Sequence, residues 1–145
     1  MRRWFVDGNN VMGSRPDRWW NDRPAAQARL AQQVAEWCRG HAEPVVLVFD
    51  GAPVPAVTAL GGGNLRVEYA PRRARNGADD HLVDLVVRRP DGASLETVVP
   101  AMTTTVVTAD RGLVARLPAG TEIVGPRSFL ETVSPGASEG GPPRR

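Results

Sequence analysis

Apolar residues along this chain fall in short unbroken runs, and several of those runs end on an aspartate. Residues 3–6 read as a short buried strand that delivers Asp7. Val45-Val46-Leu47-Val48-Phe49 is continuous, the pattern of a strand covered on both faces, and delivers Asp50. Leu65 to Tyr69 alternates as a third strand, Thr105 to Thr108 forms a fourth ahead of Ala109-Asp110, and Glu122 to Val124 a fifth. Between the strands the period changes. Leu30, Val34, Trp37 and Cys38 recur at helical spacing, with Asp22 as a cap, Pro24 in the first turn and Gly40 as a stop. They predict a helix over 23–39, about 25 Å long at the usual rise. A second helix is predicted from about Asp79 to Arg88, with Leu82, Val83 and Val86 on its apolar side, and shorter ones over Arg111–Leu117 and Arg127–Val133; Gly51–Gly63 reads as a loop, with a short helix over Ala56–Leu60 as the alternative. Asp7-Gly8-Asn9-Asn10 reads as a turn, 13–21 as a polar loop and Pro71–Gly77 as a basic loop. Residues 93–104 are open between an edge strand over Leu95–Val99, limited by Pro100, and a loop.

Strands that alternate with helices imply an α/β fold, a mainly parallel sheet between two helical layers. Such sheets bind ligands beyond the carboxyl ends of their strands. Asp7, Asp50 and Asp110 all fall at that edge, and Asp79-Asp80 opens a helix. The expected organisation is one domain over 1–133 and a disordered tail of Gly, Pro, Ser and charge over 134–145.

Composition narrows the picture modestly. At 145 residues and 41% hydrophobic, the chain can bury a core without disulfides, and its single cysteine, Cys38, has no internal partner. The apolar run behind Met1 stops at Asp7, too short for a signal peptide, and no run reaches spanning length. The expectation is a cytoplasmic protein with no membrane contact. Net charge is only +2, but all eighteen basic residues are Arg, whose planar fork suits phosphate. Arg15, Arg18 and Arg23 lie in one loop, and Arg72, Arg73 and Arg75 in another, each beside an aspartate stretch.

Acids gathered at one sheet edge cannot all stay ionised without a cation among them. Carboxylate oxygens suit Mg²⁺ or Mn²⁺, which can generate hydroxide and stabilise phosphate charge during in-line displacement. A lone Asp after a strand is more often a turn residue or a helix cap; the joint placement favours chemistry. Periodicity leaves Asp79 and Asp80 as alternatives. Asn10 can orient Asp7, a metal-bound water or a phosphate. The Thr108 hydroxyl, two residues before Asp110, can bond a carboxylate or a phosphate oxygen. His81 after the paired acids reads as a surface helix residue, with contact to substrate or a leaving group as the alternative.

Val6-Asp7-Gly8-Asn9-Asn10-Val11, Val48-Phe49-Asp50-Gly51, Asn76-Gly77-Ala78-Asp79-Asp80 and Val107-Thr108-Ala109-Asp110-Arg111-Gly112-Leu113, in that order, resemble the NYN branch of the PIN-like nuclease superfamily, most closely the YacP-like group. Gly13-Ser14-Arg15-Pro16-Asp17 followed by Trp19-Trp20 is similar to the loop of actinobacterial members. The resemblance implies a PIN-like three-layer α/β/α sandwich and a metal-dependent ribonuclease using Mg²⁺ or Mn²⁺. By position it implies Asp7, Asp79 and Asp110 as the acidic core, Asn10 as a supporting residue and Asp50 as an additional acid, with Asp80 adjacent. Arg15, Arg18, Arg72, Arg73, Arg75 and Arg111 would meet phosphates, Trp19 or Trp20 would stack a base, and Thr108 would contact substrate. Single-stranded RNA is the expected partner, free or at the ribosome, and a homodimer is compatible with the chain. The alternative is an RNA-binding or ribosome-associated module with little turnover. A toxin of a toxin–antitoxin pair is compatible with the superfamily. A phosphatase fits less well, because Val48-Phe49-Asp50-Gly51 lacks a second Asp two residues on, and Gly61-Gly62-Gly63 lacks the Lys-Ser/Thr of a phosphate loop.

Overall fold

In the computed structural model, residues 2–15, 19–70, 77–87 and 103–134 are described. Five strands, β1 (Arg2–Asp7), β2 (Val45–Phe49), β3 (Leu65–Tyr69), β4 (Thr103–Val107) and β5 (Glu122–Val124), form one sheet in the order β3-β2-β1-β4-β5. All four pairings are parallel. The order reverses at β1, so β1 and its neighbours define the crevice where such sheets take ligands.

Helices cover both faces. On one side lie α1 (Gly8–Gly13), α2 (Arg23–Cys38), α3 (Pro55–Thr58) and α6 (Pro126–Val133), packed through Met12, Leu30, Val34, Val57 and Phe129 onto Val6, Leu47 and Val107. On the other, α4 (Gly77–Val87) and α5 (Arg111–Ala115) set Leu82, Val86 and Leu113 against Phe5, Val48 and Val106. Strand side chains therefore alternate between two cores, which is why β2 is apolar throughout and buried at all five positions. Trp4 is buried, with its ring edge-on to Trp37 at 5.0 Å and its Nε1–H donated to Glu43 Oε1 at 2.9 Å. Burial pushes the Cys38 thiol up to about 11, so it packs as a small apolar group.

The helix predicted over 23–39 is Arg23–Cys38, capped by the Asp22 carboxylate accepting from the Ala25 N–H. The third and fifth strands fall at their predicted limits, and the second helix runs Gly77–Val87. β4 begins two residues earlier than predicted, because Thr103 and Thr104 pair with Arg2 and Arg3 despite reading as loop. The expected edge strand over Leu95–Val99 and the tail beyond Ser134 lie outside the described residues.

The turn expected at Gly8–Asn10 is corrected to a helix. β1 runs without a loop into α1, and Asp7 is both the last strand residue and the helix N-cap, its Oδ1 accepting from the Asn10 N–H at 3.3 Å. Gly8 makes this junction feasible. A Cβ there would stand 2.6 Å from Phe49 Cε1 and 2.8 Å from the Val48 carbonyl oxygen.

Candidate active site at the carboxyl edge of the sheet

Asp7 ends the central strand. The residue is only 4% exposed, and among the described residues no cation pairs with it. The Thr108 hydroxyl donates to Asp7 Oδ2 at 3.0 Å and accepts the Asp110 N–H at 3.1 Å. One buried hydroxyl thus links the two strand-end acids. Asp110 in turn caps α5, with Oδ1 accepting from the Leu113 N–H at 3.1 Å. Both acids therefore stand at helix starts, where peptide dipoles favour negative charge. The cap reading and the functional reading apply to the same residues.

Two adjacent asparagines on α1 tie the neighbouring strand ends to this centre. Asn9 Oδ1 accepts from the Asp50 N–H at 2.8 Å, and Asn10 Oδ1 accepts from the Ala109 N–H at 2.8 Å. Asn10 thus holds Asp7 through its backbone and the turn before Asp110 through its side chain. Asn9, which reads as a plain turn residue in the sequence, fixes the position of Asp50. The signal for both was the polar pair immediately after a strand-end acid.

Burial is the strongest influence on the Asp7 carboxyl and raises it above the ordinary aspartate range. The bonds from Thr108 and Asn10 pull it down, while the Asp110 and Asp50 charges push it further up. The three acids therefore share one electrostatic site. Among the described residues, no three acidic, His or Cys side chains stand close enough to close around an ion by themselves. The donor set fits a hard divalent cation in chemistry: oxygen ligands and a buried carboxylate with no counter-charge among the described residues.

Asp79 stands three and seven residues before Leu82 and Val86, the buried positions of α4; its side chain lies outside the description. Asp80 is exposed, and its Oδ1 accepts from Arg116 Nη2 of α5 at 2.7 Å. Thr108 is 2% exposed with its hydroxyl engaged by Asp7 and Asp110. The Thr108 hydroxyl thus makes the carboxylate bond that was one of the two roles its place before Asp110 offered. Arg111 is exposed beside Asp110, and Arg15 bonds the Gln33 side chain. Arg18, Arg72, Arg73 and Arg75 lie outside the described residues, as does the Trp19 side chain. Trp20 is 60% exposed. His81 is not a free surface residue: its Nε2 lies 2.8 Å from Glu68 Oε1.

No family model matches the chain, and no curated protein matches it significantly. Solved structures do. The crystal structure of Rae1 (YacP) from Bacillus subtilis superposes with a TM-score of 0.70 at 19% identity, over 96% of this chain and 77% of that one. A point mutant of the same protein gives a TM-score of 0.67 at 21% identity, over 96% and 79%. The chain has the fold of Rae1 (YacP). The agreement includes the described five-stranded parallel sheet and its flanking helices. Both structures come from Bacillus subtilis, so the likeness of the 13–20 loop to actinobacterial members stands on sequence alone. No helix among the described residues is long and apolar enough to cross a membrane.

Proposed function

We propose that this protein is a metal-dependent endoribonuclease that hydrolyses phosphodiester bonds of single-stranded RNA. The observation that carries the reading is Asp7: a nearly buried carboxylate at the switch point of the sheet, electrostatically coupled to Asp50 and Asp110, with no cationic partner among the described residues. The likeness of the fold to Rae1 (YacP) and the ordered motifs in the sequence support it.

Asp7, Asp110 and Asp79 would hold Mg²⁺ or Mn²⁺, with Asp50 as an outlying acid and Asp80 held aside by Arg116. When bound, the cation supplies an activated water and neutralises charge on the phosphate. The chain supplies position. Thr108 ties the Asp7 carboxylate to the Asp110 backbone, and Asn10 fixes the turn before Asp110. Arg111, Arg15 and the arginines at 18, 72, 73 and 75 would hold phosphates, and Trp19 would stack a base. RNA, free or on the ribosome, would be the partner.

Purified protein with Mn²⁺ or Mg²⁺ is expected to cut labelled single-stranded RNA at internal positions, and EDTA is expected to stop it. A protein inert with every divalent metal across a broad RNA panel contradicts the reading. If that protein still bound RNA with affinity unchanged in Asp7→Asn, the binding-module alternative would stand in its place.

Thr108→Val tests the positioning role. Valine keeps the shape but removes the donor to Asp7, a bond that lowers its carboxyl. The cleavage rate is expected to fall by roughly ten- to a hundredfold, the usual range for groups that orient metal ligands. The acid limb of the pH–rate profile is expected to move to higher pH, and Thr108→Ser to recover most of the activity. An unmoved acid limb would assign Thr108 to stability alone.

A further inference from the structure

An open groove of about 580 Å³ lies on the α1/α6 side of the site, on the opposite face of the sheet from α4. Asn10 and Ala109 form its end nearest Asp110, Gly13 lies on its α1 wall, and Arg127 and Ser128 on its α6 wall. Its volume falls in the range of sites that enclose small organic ligands.

The lining chemistry is one-sided. Among the described residues it contains no acid, and its one ionic group is Arg127, which is exposed and pairs with no described acid. Asn10 uses Oδ1 on the Ala109 N–H, which leaves the Nδ2 donors for a ligand. Donors and a guanidinium without carboxylates suit an anionic backbone rather than a cation or an apolar chain. The walls are also open: a Cβ built at Gly13 or Gly125 meets nothing within 4 Å.

We propose that this groove seats the phosphodiester backbone of single-stranded RNA next to the bond being cut, with Arg127 on a flanking phosphate and the Asn10 amide on the nucleotide nearest Asp110. The proposal rests on the nuclease reading and adds the path of the strand. Such contacts position the chain without reading bases.

Binding of a fluorescein-labelled oligouridylate, followed by anisotropy in EDTA so that no cleavage occurs, tests it. Arg127→Glu is expected to weaken binding about tenfold and to reduce the salt slope by about one phosphate contact. Gly13→Trp, which projects a ring into open space, is expected to weaken binding about tenfold with a melting temperature no lower than that of the wild type. Backbone amide signals of Ala109, Arg127 and Ser128 are expected to shift when the oligomer is added to the wild-type protein. If both variants bind as wild type and these amides stay still, the groove proposal is overturned, while cleavage lost in Asp7→Asn would leave the nuclease reading intact. A wild-type protein with no affinity for the oligomer would overturn both.

Discussion

Asp7→Asn is expected to lower metal-dependent RNA cleavage at least about a thousandfold, roughly 4 kcal/mol of transition-state stabilisation, while making the metal-free protein more stable at neutral pH. The two effects share one cause. Burial and the Asp50 and Asp110 charges raise the folded-state carboxyl above its unfolded value of 3.8. Between those two values the native protein holds a proton that the unfolded chain has lost. Stability therefore falls as pH rises through that window, and stays lower above it. The amide variant has no such charge to bury, so its advantage is present at pH 7 and disappears toward pH 4. Part of the gain is offset, because the carboxylate accepts from Asn10 on one oxygen and from Thr108 on the other, and an amide has only one oxygen. Asparagine caps helices as well as aspartate does. Each ~1 kcal/mol regained raises the melting temperature by roughly 4 °C for a domain of this size. Mn²⁺ is expected to raise the melting temperature of the wild type and not that of the variant, since only the wild type binds it in the folded state. Thermal unfolding at several pH values, with and without Mn²⁺, checks each part. Equal melting curves for the two proteins at pH 7 and no response to metal would remove the electrostatic argument.

Gly8→Ala is expected to be among the most damaging single substitutions in the chain. The added methyl would meet the Phe49 ring and the Val48 carbonyl oxygen, at 2.6 and 2.8 Å. Phe49 is fully buried, and Val48 belongs to the central sheet, so neither is a side-chain tip that can swing aside. Alanine favours helix over glycine by about 1 kcal/mol, but overpacking a rigid core costs up to about 3 kcal/mol and more where backbone must move. The clash wins, and urea unfolding should register a loss of about 3 kcal/mol. Gly13→Ala in the same helix is the control. Its methyl enters open space, so the helix preference acts alone and stability should rise by up to ~1 kcal/mol. A Gly8→Ala protein as stable as wild type would mean that α1 does not begin against the sheet as described.

Much of the fold was legible because the strands carry their own punctuation. β2 is a pure apolar run closed by Asp-Gly, and α2 announces itself by an Asp cap, a first-turn Pro and four spaced apolar residues. The α1 helix was not legible. Gly-Asn-Asn locally favours a turn, and what overrides it is a tertiary fact, the approach of Gly8 to Phe49. The strand-end acids could be named from sequence, but their coupling could not. Asn9 reaches a backbone 41 residues away, and Asn10 one 99 residues away, so these clamps exist only once β2 and β4 flank β1. Thr108 is similar: a hydroxyl two residues before an acid can point to solvent or inward, and only the register with Asp7 makes it a bridge. Between Asp79 and Asp80, the Arg116 pairing engages Asp80 elsewhere.

The carboxylates at this edge are expected to gather around a divalent cation. A crystal soaked in Mn²⁺ and measured at the manganese absorption edge tests it most directly. An anomalous peak is expected within about 2.1 Å of oxygens of Asp7 and Asp110, the bonding distance of small hard cations, with Asp79 completing the set. A peak found only at the exposed acids Asp80 or Asp84, or none at the sheet edge under saturating Mn²⁺, would contradict it.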